Sequence, residues 1–369
     1  MKRFVCAVLV FIMLLGFKPG VKALSAKAAV VISGDTGDIL YSVNSDIKLP
    51  MASTTKIMTA LVMLQNCKDL DAEITVTKEM VTVEGSSMGL LEGDRVSYRG
   101  LLYGMMLSSG NDAANAAAIA TGGSIQNFVN LMNEKAAELE LKNTRFATPS
   151  GLDGEGHYTT AYELALIARE ALKNPDFAEA AAAKSATVYF GNPPYRRTIS
   201  NHNKLLKMYD DVIGVKTGFT KKSGRCLVSA AKNDGRYVIA VTLNDGDDWA
   251  DHRFLLDTGL AAIQVYSVTP ESIQISVPVI SGKSKMVNVK VNSADFCIPK
   301  GQNVRAAVCM PHFLYAPVKS GEITGSVDYT GLDRLIYRSN IIVSENVKKE
   351  KTDRFRAVLE ILKFMLATV

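Results

Sequence analysis

Met51-Ala52-Ser53-Thr54-Thr55-Lys56-Ile57-Met58 leads into a helical run from Thr54 to Gln65, because Ile57, Ala60, Leu61 and Leu64 recur at i, i+3, i+4 and i+7 and form one buried stripe. Ser53 therefore falls at or near the first turn. Lys56, three residues on, lies over the same face, where its amine can reach the serine hydroxyl. An alcohol is a poor nucleophile at neutral pH, and a lysine kept unprotonated by burial or by a neighbouring cation can take its proton as attack begins. N–H groups left unpaired at a helix start could stabilise the oxyanion that follows. Alone the pair carries little, since a serine three residues before a lysine is more often a cap followed by a solvated side chain.

Two further stretches change its weight. Ser109-Gly110-Asn111 interrupts two Ala- and Met-rich helical runs, Tyr98 to Leu107 and Asp112 to Ala120, and so sits on a turn between helices. Ser109 and Asn111 can pass a proton toward a leaving amine and hold Lys56 or a substrate amide by hydrogen bonds. Lys216-Thr217-Gly218 reads as part of an edge strand. There Lys216 adds positive potential that depresses the Lys56 pKa and favours a substrate carboxylate, Thr217 can bond that carboxylate, and Gly218 lets a substrate backbone lie close. Singly these are a plain turn and a strand end. Together with Ser53-Thr54-Thr55-Lys56, in this order and context, they make a serine-nucleophile constellation.

The surrounding pattern is α+β. Ala28 to Ile32 and Ile39 to Tyr41 flank the turn chemistry of Gly34-Asp35-Thr36-Gly37-Asp38 and read as a hairpin. Amphipathic helices are predicted over Phe128 to Leu139 and Ala161 to Leu172, with the turn-rich loop Thr148-Pro149-Ser150-Gly151-Leu152 between them. Strands return at Thr187 to Phe190, Gly214 to Gly218, Arg225 to Ala231 and Tyr237 to Leu243, and a helix runs from Trp249 to about Ile263. This predicts an antiparallel sheet with helices packed on it plus a helical cluster, over residues 24–264. From about Val268 the texture alternates Val and Ile with Ser and Lys, as in Ile273-Gln274-Ile275-Ser276-Val277, which predicts a small all-β domain over 268–346. The last stretch, 350–369, places Phe355, Val358, Leu359, Leu362 and Met365 on one face behind a basic start. It reads as an amphipathic helix lying on a membrane surface, the alternative being a helix packed on the β domain.

Bulk properties exclude several classes. The chain has 369 residues, 47% apolar and 21% charged, which suits two globular domains rather than disorder. Met1 to Ala23 has a basic start, an apolar centre from Phe4 to Phe17 and small residues after Pro19, the layout of a secretory signal peptide, so the expected site of action is outside the cytoplasm. That segment carries Lys2, Arg3, Lys18 and Lys22 and no acid; without it the net charge falls from +5 to +1. Nucleic acid is therefore not an expected partner. The other cysteines, Cys67, Cys226, Cys297 and Cys309, lack C-x-x-C spacing and a histidine cluster, so neither a metal nor another cofactor is expected. Cys226 reads as a buried strand residue. Cys297 and Cys309 are open to pairing or to remaining separate thiols.

With these motifs in place, the chain resembles the low-molecular-weight penicillin-binding proteins, serine-type D-alanyl-D-alanine carboxypeptidases. The resemblance covers nearly everything after the signal, including Lys56-Ile57-Met58-Thr59-Ala60, Ser109-Gly110-Asn111-Asp112-Ala113-Ala114, His157-Tyr158-Thr159-Thr160-Ala161 and Gly214-Val215-Lys216-Thr217-Gly218. It implies a penicillin-binding/β-lactamase-like catalytic domain acting on the D-Ala-D-Ala end of peptidoglycan stem peptides at the outer face of the cytoplasmic membrane. Ser53 would be the nucleophile, Lys56 the general base, and the N–H groups of Ser53 and Phe219 the oxyanion hole. β-lactams would acylate the same serine. Asn244-Asp245 followed by Asp248-Trp249-Ala250-Asp251-His252 looks most like the sporulation-associated branch. Many relatives have an arginine shortly before the last catalytic-domain helix; here that stretch reads Asp245-Gly246-Asp247-Asp248-Trp249, and Arg253 comes later. His157 is either a structural hydrogen-bonding group or a participant in deacylation.

Two other readings compete. A class A-like β-lactamase shares the motifs but needs a deacylating glutamate, for which Glu155 and Glu163 are on offer without an E-x-x-x-N pattern. A non-catalytic cell-wall-binding or β-lactam-sensing module would keep the fold and leave Ser53 inert.

Overall fold

Every side chain of Ala28–Ser33 is buried, and alternate residues enter two different cores: Ala28, Val30 and Ile32 face the helical cluster, Ala29 and Val31 the opposite side. A strand covered on both faces reads as a continuous apolar run, and this one does. The computed structural model describes residues 24–269, 274–331 and 334–350, together with positions 358 and 362. Numbered in chain order, β1 (Ala28–Ser33) and β2 (Ile39–Val43) form the expected hairpin, and a 3-10 turn (Ala52–Thr55) leads into α1 (Lys56–Asn66). Next come β3 (Glu73–Thr75), α2 (Lys78–Val81), β4 (Arg95–Ser97), α3 (Tyr98–Met106), α4 (Asn111–Gly122) and α5 (Ile125–Glu138). They are followed by α6 (Ala161–Ala171), α7 (Pro175–Ala182), β5 (Ser185–Gly191), β6 (Pro194–Ser200) and α8 (Leu205–Met208). Then β7 (Val212–Thr220), β8 (Gly224–Asn233), β9 (Arg236–Leu243) and α9 (Asp248–Ala262) complete the unit.

The main sheet is antiparallel in the order β2-β1-β9-β8-β7, so β7, which carries Lys216-Thr217-Gly218, lies at an edge as expected. A small sheet, β3-β4-β5-β6, was foreshadowed only at Thr187–Phe190. The serine lies on the 3-10 turn, three residues before the α-helix proper begins at Lys56, so the helix starts two residues later than Thr54, where the periodicity placed it.

Beyond α9, β10 (Ile263–Val268) begins where the last helix was expected to end, and pairs with Ala294–Pro299. A six-stranded sheet follows with its own core of Val277, Val287, Val289, Val327, Ile341 and Val343, bearing out the all-β texture. Tyr266, Phe296, Tyr329 and Tyr337 stack where the β10 pair meets that sheet, with centroids 5.0–6.4 Å apart. Cys297 is buried with Sγ 3.0 Å from the Gly235 carbonyl, whereas Cys309 is exposed on an outer strand; the two are separate thiols, which decides the open pairing. The expected signal segment, 1–23, lies outside the described residues, as does the expected amphipathic helix of 350–369 apart from Glu350 and the helical, exposed Val358 and Leu362. Among the described residues no helix is long and apolar enough to cross a membrane.

Helix α9 approaches the sheet closely because Gly259 has no side chain: a Cβ there would lie 2.6 Å from Val31 Cγ1 and 3.2 Å from Val238 Cγ1. Gly259→Ala should therefore lower unfolding free energy by about 1–3 kcal/mol in urea titrations, since buried valines cannot yield without repacking; an unchanged midpoint would show that the helix shifts freely. His252, on the same helix, is fully buried, with Nδ1 2.5 Å from Ser229 Oγ and Nε2 2.9 Å from Thr242 Oγ1. Burial pushes it down to about 3, against the opposing pull of Asp251. Between that value and the ordinary histidine pKa of about 6.5 the unfolded chain binds the extra proton, so stability falls as pH drops through this window. The difference in urea midpoint between pH 7 and pH 4.5 should shrink in His252→Gln; an undiminished difference would place the acid sensitivity elsewhere.

Candidate active site

The 3-10 turn, the α3–α4 turn and the edge strand converge on one buried amine. Lys56 has no exposed surface, and its Nζ lies 3.1 Å from Ser53 Oγ, 2.6 Å from Asn111 Oδ1 and 2.7 Å from the Ser150 carbonyl. A neutral amine has two N–H donors and one lone pair. Asn111 Oδ1 and Ser150 O, which can only accept, take the two protons, and the lone pair is left facing the serine hydroxyl. Burial drives the Lys56 pKa well down, the charge of Lys216 lowers it further, and Asp112 partly opposes both.

Each partner is itself fixed. Asn111 Nδ2 donates to Glu84 O at 2.6 Å and its main-chain N–H to Ser86 O at 2.7 Å, which leaves Oδ1 turned toward the lysine. The adjacent Asp112 carboxylate accepts from the N–H groups of Met88, Gly89 and Leu90 and from the Ser87 hydroxyl, tying the segment before β4 to the first turn of α4. Ser109 is buried with φ 58°, a left-handed turn that carries the chain from α3 into α4 and sets the serine at the wall of the cleft. Gly151 (φ +87°) packs against the serine turn so tightly that a Cβ would fall 2.0 Å from Ala52 O, and this brings the preceding Ser150 carbonyl onto Lys56.

Strand β7 closes the other side. A Cβ on Gly218 would lie 3.0 Å from Ser53 N and 3.1 Å from Thr54 N, so only glycine lets the strand run this close to the turn. Lys216 is buried, its Nζ donating to Thr217 O at 2.9 Å, and burial pushes its pKa down to about 7. Phe219 is 65% exposed at the rim. A cleft of about 340 Å³ collects Ser53, Ser109, Thr217, Gly218 and Phe219, so the spaced motifs meet in one place. A larger cavity of about 610 Å³ lies between the first hairpin and the β unit, lined among others by Asp38 and Gln302, and contains no motif residue.

His157 stands behind the turn. Nδ1 accepts the Ala147 N–H at 3.0 Å, which fixes the proton on Nε2, 2.9 Å from Thr55 Oγ1, and burial lowers the pKa to about 4. A neutral imidazole so engaged orients the loop against the turn, and the structural alternative is the one its geometry favours. Glu163 accepts from Asn143 N and Thr144 Oγ1 and pins the start of α6 to the preceding loop, while Glu155 is exposed; neither lines the cleft. Arg253 is held by Asp211 and Asp257 and stacks on Tyr209, so it does not line the cleft either. Among the described residues no group of three or more His, Cys, Asp or Glu is arranged to hold a metal ion.

Sequence reasoning did not single out three contributors. Ser150 acts through its carbonyl, which any residue type supplies. Asp112 acts one step removed, through main-chain groups far along the sequence. Arg225 reaches the cleft by strand pairing; its position opposite Phe219 follows only once the β7–β8 register is known.

Comparisons with known proteins identify the family. The family model described as D-alanyl-D-alanine carboxypeptidase matches residues 16–247, more than half of the chain. D-alanyl-D-alanine carboxypeptidase DacF of Bacillus subtilis is 31% identical, the alignment spanning 95% of each chain. Penicillin binding protein 5 from Haemophilus influenzae superposes with a TM-score of 0.65 at 27% identity, covering 90% of this chain and 100% of that one. The Streptomyces K15 DD-transpeptidase gives 0.63 at 34% identity, covering 65% of this chain and 98% of that one. On its matched residues and the fold they build, the chain belongs to the family of D-alanyl-D-alanine carboxypeptidases.

Proposed function

We propose that this serine D-alanyl-D-alanine carboxypeptidase works through Ser53 as nucleophile and Lys56 as general base. The observation that carries the assignment is the Lys56 amine, buried and held by two acceptors with its lone pair toward Ser53 Oγ at 3.1 Å. As Oγ attacks the carbonyl carbon of the penultimate D-Ala, its proton passes to Lys56 Nζ. The carbonyl oxygen becomes an oxyanion between the N–H groups of Ser53 and Phe219. Collapse breaks the C–N bond, the leaving amine takes a proton relayed from Lys56 through the Ser109 hydroxyl, and terminal D-Ala departs from an ester on Ser53. Water, deprotonated by the same lysine, hydrolyses that ester. Asn111 keeps Lys56 aimed, and Thr217 and Gly218 align the substrate along the edge strand. A β-lactam enters the same sequence, but its leaving nitrogen stays tethered by the opened ring and the ester clears slowly.

A β-lactamase reading is disfavoured, because Glu163 is occupied in a loop contact and Glu155 is exposed away from the cleft. A non-catalytic module is disfavoured by the assembled serine–lysine pair. We further propose export through the segment 1–23, contact of the 350–369 helix with the outer face of the cytoplasmic membrane, domain limits of 24–264 and 268–346, and a sporulation role. These rest on the basic and apolar layout of the two ends, the change of texture near Val268, and the residues from Asn244 to His252.

Incubated with a peptide ending in D-Ala-D-Ala, the enzyme should release D-Ala, and Ser53→Ala should lose at least roughly 1,000-fold in rate and all labelling by fluorescent penicillin. Retained labelling in Ser53→Ala would overturn the assignment. The pH profile gives a second check. Acylation needs neutral Lys56, so its rate should climb with pH through the depressed Lys56 pKa. Lys216→Gln removes a neighbouring positive charge, so the Lys56 pKa should rise and the ascending limb of kcat/KM should move to higher pH. A limb that stays put, or moves to lower pH, would exclude Lys56 as the titrating base.

A further inference from the structure

We infer that the cavity between the first hairpin and the β unit is a saccharide site, built to hold a segment of N-acetylated glycan. The choice of glycan draws on the proposed substrate, a stem peptide of peptidoglycan, whereas the site itself stands on the cavity. Its volume of about 610 Å³ falls within the range of about 300–1,000 Å³ common to small-ligand sites. It opens beside β2, at the sheet edge opposite β7, so four strand spacings, about 19 Å, separate the two edges. The cavity shares no lining residue with the serine cleft and is a separate place on the molecule.

Its wall carries an unsatisfied amide. Gln302 lies on the turn that follows Ala294–Pro299, and the main chain there is fixed: Lys300 N–H donates to Ala262 O at 2.9 Å and Gln302 N–H to Pro299 O at 3.2 Å. The Gln302 carboxamide packs on Gly331, where a Cβ would fall 2.4 Å from Nε2, and neither Oε1 nor Nε2 makes a hydrogen bond. A shielded donor and a shielded acceptor left unpaired both destabilise the free protein. Because Gln302 lines the cavity, a turn about its side-chain bonds offers both groups to a guest, which would complete them.

That guest must donate as well as accept. A phosphate or carboxylate only accepts, so it would leave Oε1 unpaired and approach the carboxylate of Asp38, which already takes Arg334 and the Thr36 hydroxyl. A sugar hydroxyl or acetamido group supplies donor and acceptor together. Arg305 stands opposite Thr330 in the pairing of Arg305–Cys309 with Ile323–Gly331, so the two share a face at the cavity. Lys300 and Arg305 are exposed, and among the described residues neither has an ion-pair partner, which leaves their N–H groups for ring and carbonyl oxygens. Ile39, 47% exposed, and Pro299 add an apolar patch for the C–H face of a pyranose ring. An anionic polymer would satisfy the two cations but not the amide, and this difference sets the test.

Chitohexaose, neutral and free of peptide, is the probe and polyphosphate the anionic comparison, each titrated calorimetrically into the full chain. Chitohexaose should bind saturably and equally well to wild type, to Ser53→Ala and to enzyme acylated by penicillin. Gln302→Leu and Arg305→Gln should each weaken that binding by roughly 10-fold, the weight of a lost hydrogen-bonding group. Gln302→Leu should also raise the urea midpoint, because it removes polar groups that the free protein leaves unpaired. Arg305 is exposed, so its variant carries the test should Gln302→Leu fail to fold. Absence of saturable binding, affinity unmoved by Arg305→Gln, loss of binding on acylation, or preference for polyphosphate would each overturn the inference. So would a lowered urea midpoint in Gln302→Leu with unchanged affinity, which marks the amide as structural. Failure to release D-Ala from a peptide would count against the Ser53 reading alone and leave glycan binding standing.

Discussion

The site depends on one constraint: an amine with no access to water must be surrounded by acceptors and left without its proton. Lys56 satisfies it with Asn111 Oδ1 and Ser150 O, two groups from separate segments that meet only in the folded chain. A charged ammonium in that position would carry a heavy desolvation cost, and Lys216, itself buried, adds a second cation nearby. In the proposed mechanism, the free energy that burying the lysine withholds from its charged form is what would make it a base.

The architecture follows from that requirement. Strand β7 must run against the serine turn, which Gly218 permits, and the loop through Gly151 must press on the same turn from the other side. His157, neutral between Ala147 N and Thr55 Oγ1, and Asp112, gathering main-chain N–H groups of the 87–90 segment, then hold these pieces in register. The two faces of the sheet are covered by separate cores, so the edge strand is supported along its length while its outer side stays open to an extended peptide.

Much of this was legible in the residues. The stripe through Ile57, Ala60, Leu61 and Leu64 placed Ser53 and Lys56 on one turn, and the alternation around Lys216 placed the third motif on a strand. The three-residue strands β3 and β4 were not legible, because so few positions show no period, and β6, with Arg196 and Arg197, lacks apolar alternation. Ser150 and Arg225 escaped notice for another reason. One contributes a carbonyl and the other a position in a register, and neither has a local signature.

The central claim concerns the protonation of a single side chain, and it can be observed directly. With lysines labelled at Cε by carbon-13, the Lys56 resonance, assigned through Lys56→Arg, should titrate well below the ordinary lysine value of about 10.4 and should move upward in Lys216→Gln. A Lys56 resonance that stays protonated beyond pH 10 would contradict the account, since the amine facing Ser53 would then have no lone pair with which to accept its proton.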